Sequence, residues 1–255
     1  MRLLALDSSA ASCSVALWDD GKKETGSPVV AHHCKFMDRG QSEALIPMVD
    51  SVMEEAGLAF GDLDRLGVTV GPGSFTGVRI GLAAARGLAL ARGLPLVGVT
   101  SLEAIALEAR AEDGSKDTAV PDTLFVALSA GRSDLYFQIF SRNEDVESAF
   151  PWQAASSPGA AMLEDVPGQL PQKGLVLIAG NGAPLIRHVL ATEKRAAGPG
   201  HKIIYAGGPG LPDAAAVAVI AAGREPETFG SEPVPLYVHS HYARLPQGRT
   251  KEVAP

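Results

Sequence analysis

The run Val68-Thr69-Val70 leads into the corner Gly71-Pro72-Gly73, and a segment of small residues, Leu82 to Ala91, leads out of it. This order predicts a strand, a tight turn and a helix. Gly71 and Gly73 allow backbone angles that other residues resist, and Pro72 stiffens the corner between them. Ser74 and Thr76 are candidates to cap the helix. Free N–H groups at such a helix start suit an anion; the other reading is a purely structural turn. Three sharper signatures are missing. A P-loop requires a lysine that is not here, and a dinucleotide fingerprint requires Gly or Ala where Thr76 stands. A nucleophile elbow requires glycines two residues either side of its serine, where Ser74 has Pro72 and Thr76.

The elements around the corner follow an order that recurs. Leu3–Leu6 and Cys13–Trp18 read as a hairpin with Asp7 near its tip, and a third strand is expected over Val29–Cys34. Gln41 to Ala56 places Ala44, Leu45, Met48, Val49, Val52, Met53 and Ala56 on one helix face, with Ser42 as cap and Gly57 as stop. The strand and glycine corner come next. In the helix after them Gly77, Gly81 and Ala85 recur at spacing four, with Ala84, Leu88 and Ala91 on a neighbouring face. Glycine inside a helix costs about 1 kcal/mol against alanine, so a close neighbour is expected, either another helix or subunit or the chain's own sheet. Pro95–Val99 reads as a strand and Ser101–Arg110 as a capped helix. After a linker over Ala111–Asp122, a second hairpin (Leu124–Ser129, Leu135–Phe140) and a second strand and glycine turn (Leu175–Ala183) lead into a helix, Pro184–Leu190. A strand over Lys202–Ala206 and a helix over Asp213–Ala222 complete the pattern.

At 255 residues, 46% of them hydrophobic, the chain is long enough for one large or two medium domains with a real core. The expected division is an N-terminal α/β domain over 1–110, a C-terminal α/β domain over 123–242 and a tail over 243–255. Helix 213–222 is a candidate to pack back on the first domain. No apolar run reaches membrane-spanning length, and Asp7 interrupts what would be a signal peptide's apolar region, so a cytoplasmic location without membrane contact is expected. Cys13 and Cys34 form neither a disulfide framework nor a zinc spacing, and both are expected buried or half-buried. A net charge of −7 argues against a large nucleic-acid surface of the chain's own.

Few residues carry obvious chemistry. Asp7 has Ser129 as its counterpart in the second hairpin, and one carboxylate alone is a poor magnesium site. His32 and His33 face opposite sides of a strand; His239 and His241 share a face but lack a third ligand. No serine or cysteine is paired with a recognisable base. The anion or nucleotide candidates are Asp7, Ser8, Ser9, Gly71, Gly73, Ser74, Thr76 and Arg79. No residue is assigned as catalytic or metal-binding.

The repeated order of hairpin, helix, strand, glycine turn and helix resembles the actin/hexokinase/Hsp70-like (ASKHA) duplicated fold, two α/β halves flanking a cleft. GPGSFTGVRIG (Gly71–Gly81), followed by Arg86-Gly87-Leu88-Ala89, resembles the signature of the TsaB (YeaZ) family. LALDSSAASCSVAL (Leu4–Leu17) resembles that family's N-terminus, with weaker echoes in SEALIPMV (Ser42–Val49), GNGA (Gly180–Ala183) and PLYV (Pro235–Val238).

The resemblance implies a non-catalytic partner of the TsaD-type transferase, which makes N6-threonylcarbamoyladenosine beside the anticodon of tRNA. It implies contact through Glu43, Leu45, Met48, Val49 and Val52 of one helix and Gly77, Ile80, Gly81, Ala84 and Leu88 of the next. It further implies a TsaE-type ATPase in the assembly, a homodimer when the chain is alone, only indirect contact with tRNA, and no cofactor beyond ATP or ADP at the interface. Two departures bear on this. The paralogue's His-x-x-x-His metal pair aligns with Ser101 and Ile105, and the aspartate that opens a DAR-like turn in the family is Ser129 here. The alternative is a stand-alone ASKHA-fold ATPase or small-molecule kinase; a glycoprotease, the third reading, lacks a metal pair and a nucleophile motif.

Overall fold

The structure is a computed structural model describing residues 1–25, 27–112, 121–131, 134–143, 150–192, 201–225 and 233–238. Most of the expected linker, His239, His241 and the expected tail lie outside the described residues.

The first lobe runs β1 (Arg2–Ala10), β2 (Ser12–Asp19), β3 (Val29–Phe36), α1 (Gln41–Glu55), β4 (Arg65–Thr69), α2 (Phe75–Arg92), β5 (Leu96–Val99) and α3 (Ser101–Glu108). Its sheet has the order β3-β2-β1-β4-β5. The first three strands are antiparallel, and β4 and β5 are added in parallel. The second lobe runs β6 (Thr123–Ser129), β7 (Asp134–Arg142), β8 (Trp152–Ala154), β9 (Gly159–Met162), α4 (Val166–Gln169), β10 (Gly174–Ala179), α5 (Ala183–Thr192), β11 (His201–Tyr205) and α6 (Ala214–Ala222). Its sheet order is β11-β10-β6-β7-β8, with β9 also on β7. This duplicated topology is the two-lobed actin/hexokinase-like plan. The short strands β8 and β9 have no clear sequence signal.

Strands buried on both faces need near-continuous apolar runs, and Leu3–Leu6 of β1 and Val15–Trp18 of β2 supply them. Leu4, Leu6, Cys13, Val15 and Leu17 point to α1 and α2, while Leu3, Ala5, Ala16 and Trp18 point to the other face. That other face is covered by α6, whose sequence AAAVAVIAA is apolar all round. A helix without a polar side must be buried on all sides, and α6 lies between the first lobe's sheet and α3. The first lobe's core is therefore closed by a helix that comes after the second lobe's strands in sequence.

Both chain crossings between the lobes run side by side. Ala111 forms an antiparallel bridge with Ala206; Glu112 N donates to Tyr205 O at 3.0 Å and Gly207 N to Arg110 O at 3.0 Å.

Several local expectations are corrected. The N-cap of α1 is Gly40 in the left-handed region, and Ser42 turns instead to the Glu43 carboxylate at 2.8 Å. Asp7 is not at the hairpin tip: it pairs with Ser14 inside the ladder and is fully buried. Cys34 is exposed, because β3 is the sheet's edge.

Candidate functional site: the glycine corner and the cleft between the lobes

The glycine corner is built against β1. Ser74 caps α2 by accepting from Gly77 N at 3.2 Å, and its own N–H donates to Ser9 O at 2.7 Å. Thr76, the second residue of α2, is already inside the helix and does not cap it. A Cβ at Gly73 would overlap the Ser9 carbonyl oxygen, and one at Gly77 the Ser8 carbonyl oxygen. At Gly81 it would stand 2.8 Å from Ser8 Oγ. Ser8 Oγ in turn donates to Gly77 O at 2.8 Å. The glycines at spacing four are thus the places where the backbone of β1 crosses α2. Of the two neighbours open to that stripe, the sheet is the one the fold supplies.

Beneath the corner lies a buried polar hub. Asp7 Oδ1 accepts from Thr69 Oγ1 at 2.6 Å, Ser9 Oγ at 2.7 Å and Ser9 N at 3.1 Å. Ser9 Oγ also lies 2.9 Å from Ser101 Oγ. Asp7 Oδ2 has no hydrogen-bond partner among the described residues. Burial pushes the Asp7 carboxyl up to about 6 against the lowering effect of the Thr69 and Ser9 bonds. A fully enclosed carboxyl with one bare oxygen does not present a metal-binding face to the cleft.

Between the lobes is a cleft of about 560 Å³, lined by Ser9, Gly73 and Ser74 on one side and by Ser129, Gly131 and Asn181 on the other. Asn181 Oδ1 accepts from Ser129 N at 2.8 Å, holding the second lobe's rim. A neighbouring chamber of about 260 Å³ shares Gly73, Phe75 and Tyr136 with the cleft and adds Tyr237. Of the expected anion residues, the cleft brings together Ser9, Gly73 and Ser74. Asp7, Ser8 and Gly71 are buried behind them, and Thr76 is exposed outside the lining. Arg79 is occupied: its guanidinium lies 3.5 Å from the Phe75 ring centre, and Nε donates to Tyr237 Oη at 2.9 Å.

Tyr136, Asn181 and Tyr237 were not singled out as site residues by sequence. The GNGA and PLYV stretches were the only signals. Residues 233–238 form a strap on the corner, with Leu236 N donating to Val70 O at 2.7 Å and Arg86 Nη2 to Pro233 O at 2.6 Å.

The ten residues of the expected partner surface divide. Leu45, Val49, Val52, Gly77 and Gly81 are buried within the first lobe and offer no surface, because the core and β1 already occupy them. Met48, Ile80, Ala84 and Leu88 are half-buried and Glu43 is exposed. Ala83 and Gly87 lie open beside them, and nothing stands within 4 Å of a Cβ built on Gly87.

Ser101 and Ile105, at the positions of the paralogue's metal pair, are both buried. Among the described residues no three His, Cys, Asp or Glu side chains are grouped to hold a metal ion. No helix among them is long and apolar enough to cross a membrane.

The lobes, the corner and the cleft define a protein of the actin/hexokinase-like class. Residues 35–177 match the family model described as "TsaD: tRNA N6-adenosine threonylcarbamoyltransferase". The chain is 35% identical over 145 residues to the tRNA threonylcarbamoyladenosine biosynthesis protein TsaB of Escherichia coli, a match spanning 57% of each chain. It is 32% identical to TsaB of Haemophilus influenzae over 67% of this chain and 68% of that one. The solved structure of YeaZ from Pseudomonas aeruginosa superposes with a TM-score of 0.69 at 26% identity, covering 93% of this chain and 99% of that chain. The chain belongs to the TsaB/YeaZ family.

Proposed function

We propose that this chain is a non-catalytic scaffolding subunit of the complex that makes N6-threonylcarbamoyladenosine in tRNA, and that it binds and stabilises the TsaD-type transferase. The observation that carries this reading is the open face of α2. Ala83, Ala84 and Gly87 leave it nearly flat, and Met48, Ile80 and Leu88 border it with partly exposed apolar surface. Small residues let a second helix approach closely, while the apolar border supplies the burial that drives association. Family membership supports the choice of partner. The same face serves a second copy when the transferase is absent.

A TsaE-type ATPase joins the assembly, and tRNA is reached through the transferase. ATP or ADP, if held, lies at the junction of the two proteins, with Ser9, Gly73 and Ser74 as this chain's nearest polar groups. The assembly works in the cytoplasm. The stand-alone ATPase or kinase gains nothing from the geometry, since the Asp7 carboxyl it needs is enclosed.

Size-exclusion chromatography with light scattering, on this chain alone and mixed with the TsaD-type protein of its own organism, tests the proposal. A mixed species is expected, weakened at least tenfold by Met48→Glu or Gly87→Trp. Gly87 is open to solvent and Met48 only half-buried, so a thermal melt of each variant serves as the check that the fold is kept. Gly81→Trp is a poor probe because its side chain would be driven into Ser8. Transferase activity by this chain alone, or no association under any nucleotide condition, would overturn the proposal.

A further inference from the structure

An aromatic patch stands at the start of α2, apart from the small-residue face at Ala83, Ala84 and Gly87. Phe75 is 58% exposed and Tyr237 45%, and Val234 of the same strap is exposed too. Single open apolar side chains are ordinary on a protein surface; these are tied together by specific contacts. The Phe75 and Tyr237 rings lie 5.7 Å apart at 31°, and the Arg79 guanidinium sits 3.5 Å from the Phe75 ring centre and 5.7 Å from that of Tyr237.

The strap is firmly seated. Pro233 and Pro235 fix two of its φ angles, and Leu236 N bonds to Val70 O. Leu236 O comes so near Gly71 that a Cβ there would stand 3.1 Å away. Tyr237 is thereby presented at a fixed place, where its hydroxyl accepts from Arg79 Nε. Those contacts orient Arg79 without exhausting it. They use Nε and one face of the guanidinium, while Nη1 and Nη2 of this exposed side chain have no hydrogen-bond or ion-pair partner among the described residues. Behind the patch opens the chamber of about 260 Å³, walled by Phe75, Val78, Tyr136, Leu236, Tyr237 and Val238.

We propose that this is a peptide-docking site for an acidic–apolar segment of a protein partner, with a carboxylate on the Arg79 fork and an apolar side chain in the chamber. The two parallel N–H donors of a guanidinium edge match one carboxylate. Arg79 is already oriented by Phe75 and Tyr237, which lowers the ordering cost of binding. Tyrosine and arginine around a small pocket are also the side chains that carry most interface energy. Charge selects a carboxylate over phosphate or nucleic acid. Asp38 is the one charged side chain among the described residues lining the cleft and the chamber, so a phosphate chain would find one guanidinium and a repelling carboxylate. The site begins a turn before Ala83 and does not depend on the small-residue face binding the transferase.

Selection of a displayed library of random dodecapeptides on the full-length chain, with no transferase present, tests the site separately from the scaffold reading. Enriched sequences are expected to pair Asp or Glu with Leu, Ile, Phe or Tyr. The most enriched peptide, followed by fluorescence anisotropy, is expected to lose about tenfold or more in affinity with Arg79→Gln, Arg79→Lys or Tyr237→Ala. The same loss is expected when its acidic residues are exchanged for amides. Arg79→Lys keeps the charge but lacks the fork, so its loss separates a bidentate contact from general attraction. A thermal melt checks the fold of each variant, and Tyr237→Phe, which removes only the hydroxyl that orients Arg79, serves if Tyr237→Ala unfolds. No enrichment, or equal binding of the peptide to Arg79→Gln, would overturn the site. Displacement of the peptide by single-stranded RNA at physiological salt would overturn it in favour of a polyanion, and a dimer of the parent chain abolished by Arg79→Gln in favour of a second copy.

Discussion

The two glycine corners share a backbone plan and differ in what lies beneath them. In the first lobe Gly71-Pro72-Gly73 rests on Ser8 and Ser9, over a hub that joins Asp7, Thr69 and Ser101. In the second, Gly180-Asn181-Gly182 rests on Ala127, with Gly182 N donating to Ala127 O at 3.0 Å. In the core cluster that holds Ala127 are Phe125 and, packed against it, Phe137, their rings stacked at 5.4 Å. Duplication has kept the close approach of strand and helix, which only glycine permits. It has not kept the polar chemistry. The first lobe's corner therefore stands over a buried titratable group, the Asp7 carboxyl.

The lobes also differ in self-sufficiency, and the largest expected effect breaks the comparison there. A fragment of residues 1–110 lacks α6 and exposes the sheet face formed by Leu3, Ala5, Ala16, Val97 and Val99. At about 25 cal/mol per Å² of apolar surface, losing that cover removes more than a domain's net stability. The fragment should bind a hydrophobic dye and give a poorly dispersed NMR spectrum, although its length suggests a complete domain. A dispersed, monomeric spectrum would show that α6 is dispensable.

Next in size are substitutions at the crossings of strand and helix. Gly77→Ala in the first lobe and Gly180→Ala in the second each place a Cβ into a carbonyl oxygen, and Gly180 also sits at φ 96°. Losses of about 3 kcal/mol or more are expected for both in urea unfolding, because a backbone atom cannot move aside as a flexible side chain can. If Gly77→Ala were mild, the close docking of α2 on Ser8 would be wrong.

The hub supplies the third test. The Asp7 folded value of about 6 stands above its ordinary 3.8, so the group's penalty is absent below about pH 4 and complete above about pH 6. Asp7→Asn should unfold at higher urea than the parent at pH 7, by about 3 kcal/mol at most, and the two should converge at pH 4. Parallel stability curves across that range would remove the buried charge from the account. Smallest is Gly87→Ala on the open face of α2, where nothing meets a Cβ and helix propensity alone applies. It should gain up to about 1 kcal/mol and leave partner binding nearly intact, since alanine is still small.

Some of this was legible in the residues. The continuous apolar runs in β1 and β2, the face of α1 and the Ser74 cap follow from local pattern and capping chemistry, which depend on neighbours a few positions away. The glycines at spacing four announced a close approach, but their spacing is the same for a helix, a subunit or a strand, and only the packed sheet named Ser8. Asp7 looked like a hairpin-tip residue because a strand's end cannot be read from its polar residues; the ladder to Ser14 buried it. The strap over Val70 and the pairing of His32 with Asp213 join positions as much as 181 residues apart. The sequence by itself determined the elements, their order and the family, because those rest on short-range pattern. Which glycine face is filled, which helix closes the first lobe and which charges pair between β3 and α6 were decided by the tertiary structure, since burial and charge proximity exist only once distant segments are brought together.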